Sequence, residues 1–304
     1  MNLSIIIAMS IVIFIGWRCL AMKKDECPYG SEWSDTDRPN IKLPPKSQRI
    51  VVRVDSYVAP RSISTEKYLI PRTIIQTNEK DEIPKKMMDA TNTLINLNPE
   101  YEYVYFTDDE AKTFILNNFD QSVNDAYNKL NPGAYKADLF RYCFLWINGG
   151  VYIDMGMVGL ASLNTVIKPT DTFIAPEDNG ANSIYNAFMA CTPHHPIVRE
   201  AIILAVENIE NNDYTHNPLG ITGPLLLGKA FEKITGEPVS PGRDYGNGIR
   251  IIKFSKYNKC ESGIIHSSGV NILATRYPSY RIDQIWYNTK PHYSDLWKNR
   301  KVFK

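Results

Sequence analysis

No two cysteines of the 304-residue chain stand in a CxxC pair, which argues against a zinc site built on cysteine. The five that exist, Cys19, Cys27, Cys143, Cys191 and Cys260, are odd in number and widely spaced. A disulfide framework is therefore not indicated, although one bridge between distant cysteines stays open. Cys143 and Cys191 fall in apolar stretches and read as core residues. An excess of basic charge is also missing. Lys and Arg total 34 against 33 Asp and Glu, for a net charge of +1. Nucleic-acid binders usually carry a basic surplus, so this partner class is set aside. There is no internal repeat, and no Asn-x-Ser/Thr sequon occurs after the first few residues. What is present is ordinary for a folded domain, with 43% hydrophobic and 22% charged residues. The length suits one large globular domain or two small ones.

A long uncharged run occurs at the start. Leu3 to Trp17 reads LSIIIAMSIVIFIGW, ended by Arg18 and followed by Lys23 and Lys24. A spanning helix needs roughly 17–25 apolar residues. Counting Cys19 to Met22 as a flank brings residues 1–22 into that range. A cleaved signal peptide would need a basic start and a small-x-small cleavage site. Only Met1 and Asn2 precede the run, so an uncleaved transmembrane anchor is the favoured reading. Its cationic flank lies on the C-terminal side, which by the positive-inside tendency would keep the body cytosolic. Residues 23–48 are polar and rich in Pro, Asp, Ser and Lys, as in a stem. The stem or linker is drawn over residues 23–68, and Arg49 to Val54 is either a strand or a stem segment packed on the domain.

From residue 69 to 304 the pattern changes to that of a folded domain. Arg72 to Thr77 is rich in β-branched residues and reads as a buried strand. Pro84 to Leu97 has helical spacing, and Tyr101 to Phe106 alternates as a second strand. Thr107, with Glu110 three residues on, predicts a capping box for a helix running to about Asn117. This alternation points to an α/β domain with a mainly parallel central sheet. Ligands of such sheets sit outside the carboxyl ends of the strands, so the loop after Thr77 forms one wall of the expected site. Tyr is abundant, 18 residues against 11 Phe and 5 Trp. Tyr and Trp rings often line sugar sites, and equally the chain is simply Tyr-rich.

The most informative stretch is Tyr135 to Met157, YKADLFRYCFLWINGGVYIDMGM. Pro132 suits a helix start, and Asn148-Gly149-Gly150 is an end signal. Val151 to Asp154 then reads as a short strand ending in a carboxylate. Asp138 and Arg141 share a helix face. Leu139, Phe140, Phe144 and Trp146 make that helix apolar enough to be buried, and buried charges need partners. Two readings stay open. Asp138 and Arg141 form a structural pair, or both reach a polar ligand beside Asp154, for which the guanidinium fork and the Asp acceptors are suited. His194 and His195 lie between prolines near a helix start and read as structural.

Residues 136–154, KADLFRYCFLWINGGVYID, resemble the DXD-containing sugar-binding region of glycosyltransferase family 32. Lys136, Asp138, Leu139, Arg141, Tyr142, Leu145, Gly149, Gly150, Tyr152 and Asp154 match its fixed positions. Ile70-Pro71-Arg72 with Gln76-Thr77 resembles the family's opening strand, with Ile75 where His is common. Asn186, His195-Pro196, Thr222-Gly223-Pro224 and His292 to Trp297 resemble its later motifs. The resemblance implies a GT-A type nucleotide-sugar-binding domain. Its activity would be retaining transfer of a hexose, mannose favoured, from GDP-mannose or a UDP-hexose to a glycan or glycolipid acceptor. It also implies a single-pass membrane protein of the Golgi or secretory pathway, facing the lumen, in tension with the cationic flank. Asp138, Arg141 and Asp154 are the implied catalytic residues. Gln76, Thr77, Gly149, Gly150, Tyr152, Asn186, Gly223, Pro224 and Trp297 are the implied donor-binding residues. Gly149 and Gly150 would allow close approach.

One position departs from the pattern. Gly156 stands where the second aspartate of DXD would be, so the chain offers one carboxylate fewer to Mn²⁺ or Mg²⁺. Three outcomes follow. A cation is held by Asp154, by His292 or Asp295, and by the diphosphate. Or the enzyme needs no metal, and Arg141 or lysines stabilise the leaving group. Or catalysis is lost, leaving a degenerate, non-catalytic sugar-nucleotide binder that supports a partner transferase. A tethered adhesion or structural protein would have to treat the whole 136–154 match as scaffold.

Overall fold

The computed structural model describes residues 43–178, 180–255, 262–288 and 290–304. The expected anchor, and the stem up to residue 42, lie outside these. Among the described residues no helix is long and apolar enough to cross a membrane.

Twelve strands and eight α-helices alternate along the described chain. Strand β1 (Val51–Arg53) pairs with β4 (Glu82–Pro84) in a small two-stranded sheet, so the Arg49–Val54 segment does contain a strand. The remaining strands form a ten-stranded sheet. They are β2 (Tyr57–Val58), β3 (Thr73–Asn78), β5 (Glu102–Thr107), β6 (Gly150–Ile153) and β7 (Val158–Gly159), then β8 (Phe173–Pro176), β9 (Phe188–Cys191), β10 (Ile249–Ser255), β11 (Ile264–Ser267) and β12 (Val270–Ala274). Their order is β2-β5-β3-β6-β9-β8-β10-β11-β12-β7. Because β2 pairs with β5, strand pairing with the main sheet begins before residue 69.

The α/β reading holds, but the sheet is mixed rather than mainly parallel. Only β3–β5, β3–β6 and β8–β10 are parallel, against six antiparallel neighbours. The reason is connection length. Parallel pairing needs a crossover of a dozen or more residues. Helix α1 (Lys85–Leu97) supplies it between β3 and β5, and α2 (Asp108–Asn118), α3 (Gln121–Lys129) and α4 (Gly133–Asn148) supply it before β6. Helices α5 (Pro196–Glu210) and α6 (Pro224–Thr235) precede β10. Between β8 and β9, and from β10 to β12, no helix intervenes among the described residues, and the strands fold back antiparallel.

Alternation across the pleat separates two cores. Ile74 of β3 and Val151 and Ile153 of β6 pack with α1 residues Met87 and Leu94. Ile75 and Tyr152 pack on the opposite face with Leu139, Phe140 and Ala201 of α4 and α5. Tyr152 therefore points toward α4, the helix that carries Asp138 and Arg141. The predicted capping box of α2 is present, with the Glu110 amide donating to Thr107 Oγ1 at 3.3 Å and the Thr107 amide to Glu110 Oε2 at 2.8 Å.

The turn from α4 into β6 fixes the site. Gly149 caps α4 at φ +65°, where a Cβ would meet Pro193 Cδ at 2.7 Å and the Cys191 carbonyl at 2.8 Å. Gly150, at φ +104°, lies so close to β3 that a Cβ would stand 2.8 Å from the Thr73 carbonyl. Only glycine tolerates both the positive φ and the approach. Two short helices close the chain, α7 (Tyr280–Tyr287) and α8 (Tyr293–Lys298).

His195 is a structural residue. It caps α5, accepting from the Ile197 amide at 3.3 Å, and its ring centroid lies 5.3 Å from that of Phe173. Burial lowers its pKa to about 4, while an unfolded histidine titrates near 6.5. The folded state thus binds fewer protons below about pH 6.5. His195 contributes stability that is complete above that pH and is lost as pH falls toward 4. We expect about 1.4 kcal/mol of lost stability per pH unit in this window from His195. His195→Asn keeps a capping side chain and should flatten the slope. Urea denaturation at several pH values measures it, and an unchanged slope in the variant would remove His195 as the cause.

Candidate active site

The carboxyl ends of β3 and β6 and the start of β9 meet at one edge of the sheet, because β6 runs parallel to β3 and antiparallel to β9. Asp154 follows β6 at this edge, and its amide donates to the Ala187 carbonyl at 2.8 Å, prolonging the ladder. Asn186 is the next residue back and shares the edge. Helix α4 runs beneath, with Asp138 and Arg141 buried and facing the same point.

Arg141 joins the two aspartates. Its Nη2 lies 3.2 Å from Asp138 Oδ1 and 3.1 Å from Asp154 Oδ1. Nη1 donates to the Asn186 carbonyl at 2.6 Å and Nε to the Ala137 carbonyl at 3.2 Å. The guanidinium carbon stands 4.2 Å from the centroid of the Tyr152 ring. Burial opposes the charge, but Asp154, Tyr152 and Asp138 outweigh it and hold the guanidinium protonated.

Asp138 is consumed by the protein. Its Oδ1 accepts from Asn186 Nδ2 at 2.8 Å and its Oδ2 from Thr222 Oγ1 at 2.8 Å. Tyr142 completes the ring, receiving a bond from Asn186 Nδ2 at 2.9 Å and donating to the Thr222 carbonyl at 2.8 Å. Burial pushes the Asp138 carboxyl upward, while Arg141, Thr222 and Asn186 pull it back. Both oxygens being occupied, Asp138 positions Arg141 and Asn186.

Asp154 differs. Its Oδ1 accepts from the Tyr152 hydroxyl at 2.9 Å and pairs with Arg141, whereas its Oδ2 has no protein partner among the described residues. Its side chain is 41% exposed. The carboxylate is thus aimed by two contacts on one oxygen and presents the other outward. Gln76, fully buried, supports it from behind, with Nε2 donating to the Asp154 carbonyl at 3.2 Å and Oε1 held by Thr91 and Tyr103.

The other expected site residues divide. Asn186 and Tyr152 join the cluster directly. Gly149 and Gly150 place Asp154 through the turn. Gly223 caps α6 with a would-be Cβ 3.5 Å from Asp138 Oδ2, and Pro224 opens that helix. Thr77 donates to the Phe106 carbonyl at 2.8 Å, a contact within the sheet. Trp297 donates from Nε1 to the Tyr214 carbonyl at 2.6 Å and packs on the core. His292 caps α8 and lies 2.8 Å through Nδ1 from Ser294 Oγ. Lys136 of the motif sets its ammonium 5.3 Å from the Tyr127 ring centroid.

No group of three or more His, Cys, Asp or Glu among the described residues is placed to hold a metal. The described side chains therefore form no closed cation cage of their own, and a cation at Asp154 would take further ligands from the donor diphosphate. At Gly156 the space is already taken. A Cβ there would stand 2.5 Å from Tyr280 Cε2 and 2.8 Å from Cδ2. Helix α7 runs from this contact to the end of β3, where Asn78 Nδ2 donates to the Tyr287 hydroxyl at 3.2 Å. It roofs the carboxyl edge of the sheet.

Thr222 and Tyr280 belong to the site but are not among the residues expected from sequence. Thr222 carries a signal, its place in the Thr-Gly-Pro motif. Tyr280 carries none, since its partner Gly156 is distant in sequence.

Residues 84–173 match the family model described as glycosyltransferase sugar-binding region containing DXD motif. Inositol phosphoceramide mannosyltransferase 2 of Schizosaccharomyces pombe is 29% identical over 261 residues, 80% of this chain and 71% of its own length. An initiation-specific alpha-1,6-mannosyltransferase of Candida albicans is 28% identical over 159 residues, 49% of this chain and 39% of its own. The solved PaToxG glycosyltransferase is 19% identical and aligns over 54% of this chain and 70% of its own at a TM-score of 0.45. The resemblance drawn from residues 136–154 holds, and the chain is of the glycosyltransferase class.

The ring of bonds around Asp138 makes a stability prediction. Asp138→Ala leaves Arg141 short of a partner and should cost about 3–5 kcal/mol. Thr222→Val leaves one carboxylate oxygen unpaired and should cost about 1–3 kcal/mol. Equilibrium urea denaturation checks both. Equal, negligible losses would show that the ring does not hold the site.

Proposed function

We propose that this chain transfers a hexose, with retention, from a nucleotide diphosphate sugar to a glycan or glycolipid acceptor at a membrane. Mannose is the favoured sugar and a GT-A type domain the favoured scaffold. One observation carries the reading. Asp154 stands at the carboxyl edge of a mixed sheet with Oδ1 fastened to Arg141 and Tyr152 and Oδ2 turned outward. An aimed, half-exposed carboxylate of this kind accepts hydrogen bonds from vicinal hydroxyls of a sugar or ribose. The relatives named as mannosyltransferases support the donor class, and the inositol phosphoceramide relative supports a glycolipid acceptor. Residues 1–22 would tether the enzyme as a single-pass protein of the secretory pathway.

In the transfer step the bond between the anomeric carbon and the diphosphate oxygen breaks, and its electron pair leaves with the nucleoside diphosphate. The acceptor oxygen bonds to the anomeric carbon on the same face. The acceptor proton passes to the departing phosphate oxygen. The protein holds donor and acceptor in register and stabilises the charge that grows on the leaving group. Asp154 fixes the donor, while Arg141, Asp138 and Asn186 fix Asp154. No side chain is required as a nucleophile.

Binding without transfer is the alternative, and Gly156 is the feature that favours it. One experiment separates the two. The full-length chain in mild detergent is incubated with GDP-mannose, UDP-glucose, UDP-galactose or UDP-N-acetylglucosamine, with and without inositol phosphoceramide, and donor consumption is followed by NMR. One donor should be consumed, and Asp154→Asn should slow it roughly 10²-fold, as for a misplaced reactant. A donor that binds but is never consumed supports the alternative. A variant as fast as the parent would remove Asp154 from the site.

A further inference from the structure

The place of the absent second aspartate is built against a side chain. Gly156 has φ +89°, a region L residues rarely adopt, and Tyr280 lies against its Cα. The contact is anchored on both sides. The Tyr277 amide donates to the Gly156 carbonyl at 3.1 Å, and the Tyr280 amide donates to the Tyr277 carbonyl at 3.1 Å. Restoring an aspartate would require both a strained backbone and displacement of the ring.

Two arginines flank that ring. Arg276 has its guanidinium carbon 5.7 Å from the Tyr280 ring centroid. Arg281 follows Tyr280 in α7, and its Nη1 donates to Gln284 Oε1 at 2.8 Å. Gln284 Nε2 in turn donates to the Tyr280 hydroxyl at 3.0 Å. Both guanidinium groups thus gather around the ring that closes Gly156, two residues after Asp154, where the family pattern would put a second carboxylate.

We propose that Arg276 and Arg281 take the place of the divalent cation, binding the donor diphosphate and stabilising the charge on the leaving nucleoside diphosphate without Mn²⁺ or Mg²⁺. This rests on the transferase reading above. Removing a carboxylate and adding two cations both shift the local charge in the direction a bound metal would. Guanidinium forks match phosphate oxygens bidentately. Two of them carry the same formal charge as one divalent ion. Tyr280 is the wedge that keeps the ligand position closed and holds α7, and so Arg281, in place.

The test is calorimetric titration of GDP and of UDP into the full-length chain in mild detergent, in EDTA and again with excess MnCl₂. One nucleotide should bind with the same Kd in both. Arg276→Ala and Arg281→Ala should each weaken binding about tenfold to hundredfold. The lysine variants, which keep charge and stem, should recover part of the loss and guard against misfolding. Binding that appears or tightens more than about tenfold only with Mn²⁺ overturns this inference alone. So do arginine variants that bind as the parent does. If neither nucleotide binds under any condition, the transferase reading itself falls and takes the inference with it.

Discussion

Arg141 lies inside helix α4 with one guanidinium nitrogen 3.2 Å from Asp138 and 3.1 Å from Asp154. The shared cation stands between two carboxylates that would otherwise repel one another. Burying the triad costs desolvation, and the cost is met only because the remaining polar atoms are satisfied. The Asn186 and Ala137 carbonyls accept from Arg141, and Asn186 and Thr222 occupy Asp138. The rest of the site is arranged around this point, and Asp154 is the member left partly outside.

The fold brings those partners in from four separate segments. Helix α4 supplies the Asp–Arg pair, β6 delivers Asp154, the start of β9 delivers Asn186, and the segment before α6 delivers Thr222. The change from parallel to antiparallel pairing at β6–β9 is functional in this light. It sets the carboxyl end of one strand beside the amino end of the next, so Asp154 and Asn186 share an edge. A wholly parallel sheet would have put Asn186 at the far end. The glycine turn at 149–150 and the Gln76 contact then fix how far Asp154 projects.

Much of this was legible in the sequence because it is local. The α4 helix, its glycine stop and the carboxylate after the strand follow from spacing and end signals within about twenty residues. The capping box at Thr107 and Glu110 was legible for the same reason. Of the two readings left open for Asp138 and Arg141, the structural pair is present, and Arg141 extends it to Asp154. What stayed hidden is long-range. Antiparallel return of β9 follows residues 177–187, whose Asn179-Gly180 pair signals a turn but not which strands will pair. Gln76 and Thr77 bear motif positions yet bond inward, because both faces of β3 are covered. Tyr280 meets Gly156 only through tertiary packing, so sequence showed the missing carboxylate and not what fills its place.

The central claim is that the planar Arg141 guanidinium, fixed by two carbonyls while one nitrogen meets both carboxylates, rather than mere positive charge, aims Asp154. Arg141→Lys tests it most directly, since lysine keeps the charge and loses the planar fork. Donor turnover and urea unfolding would be measured side by side on this variant. Turnover should fall roughly 10²-fold while the chain still unfolds in one cooperative transition. A folded Arg141→Lys variant that turns over donor as fast as the parent would contradict the claim.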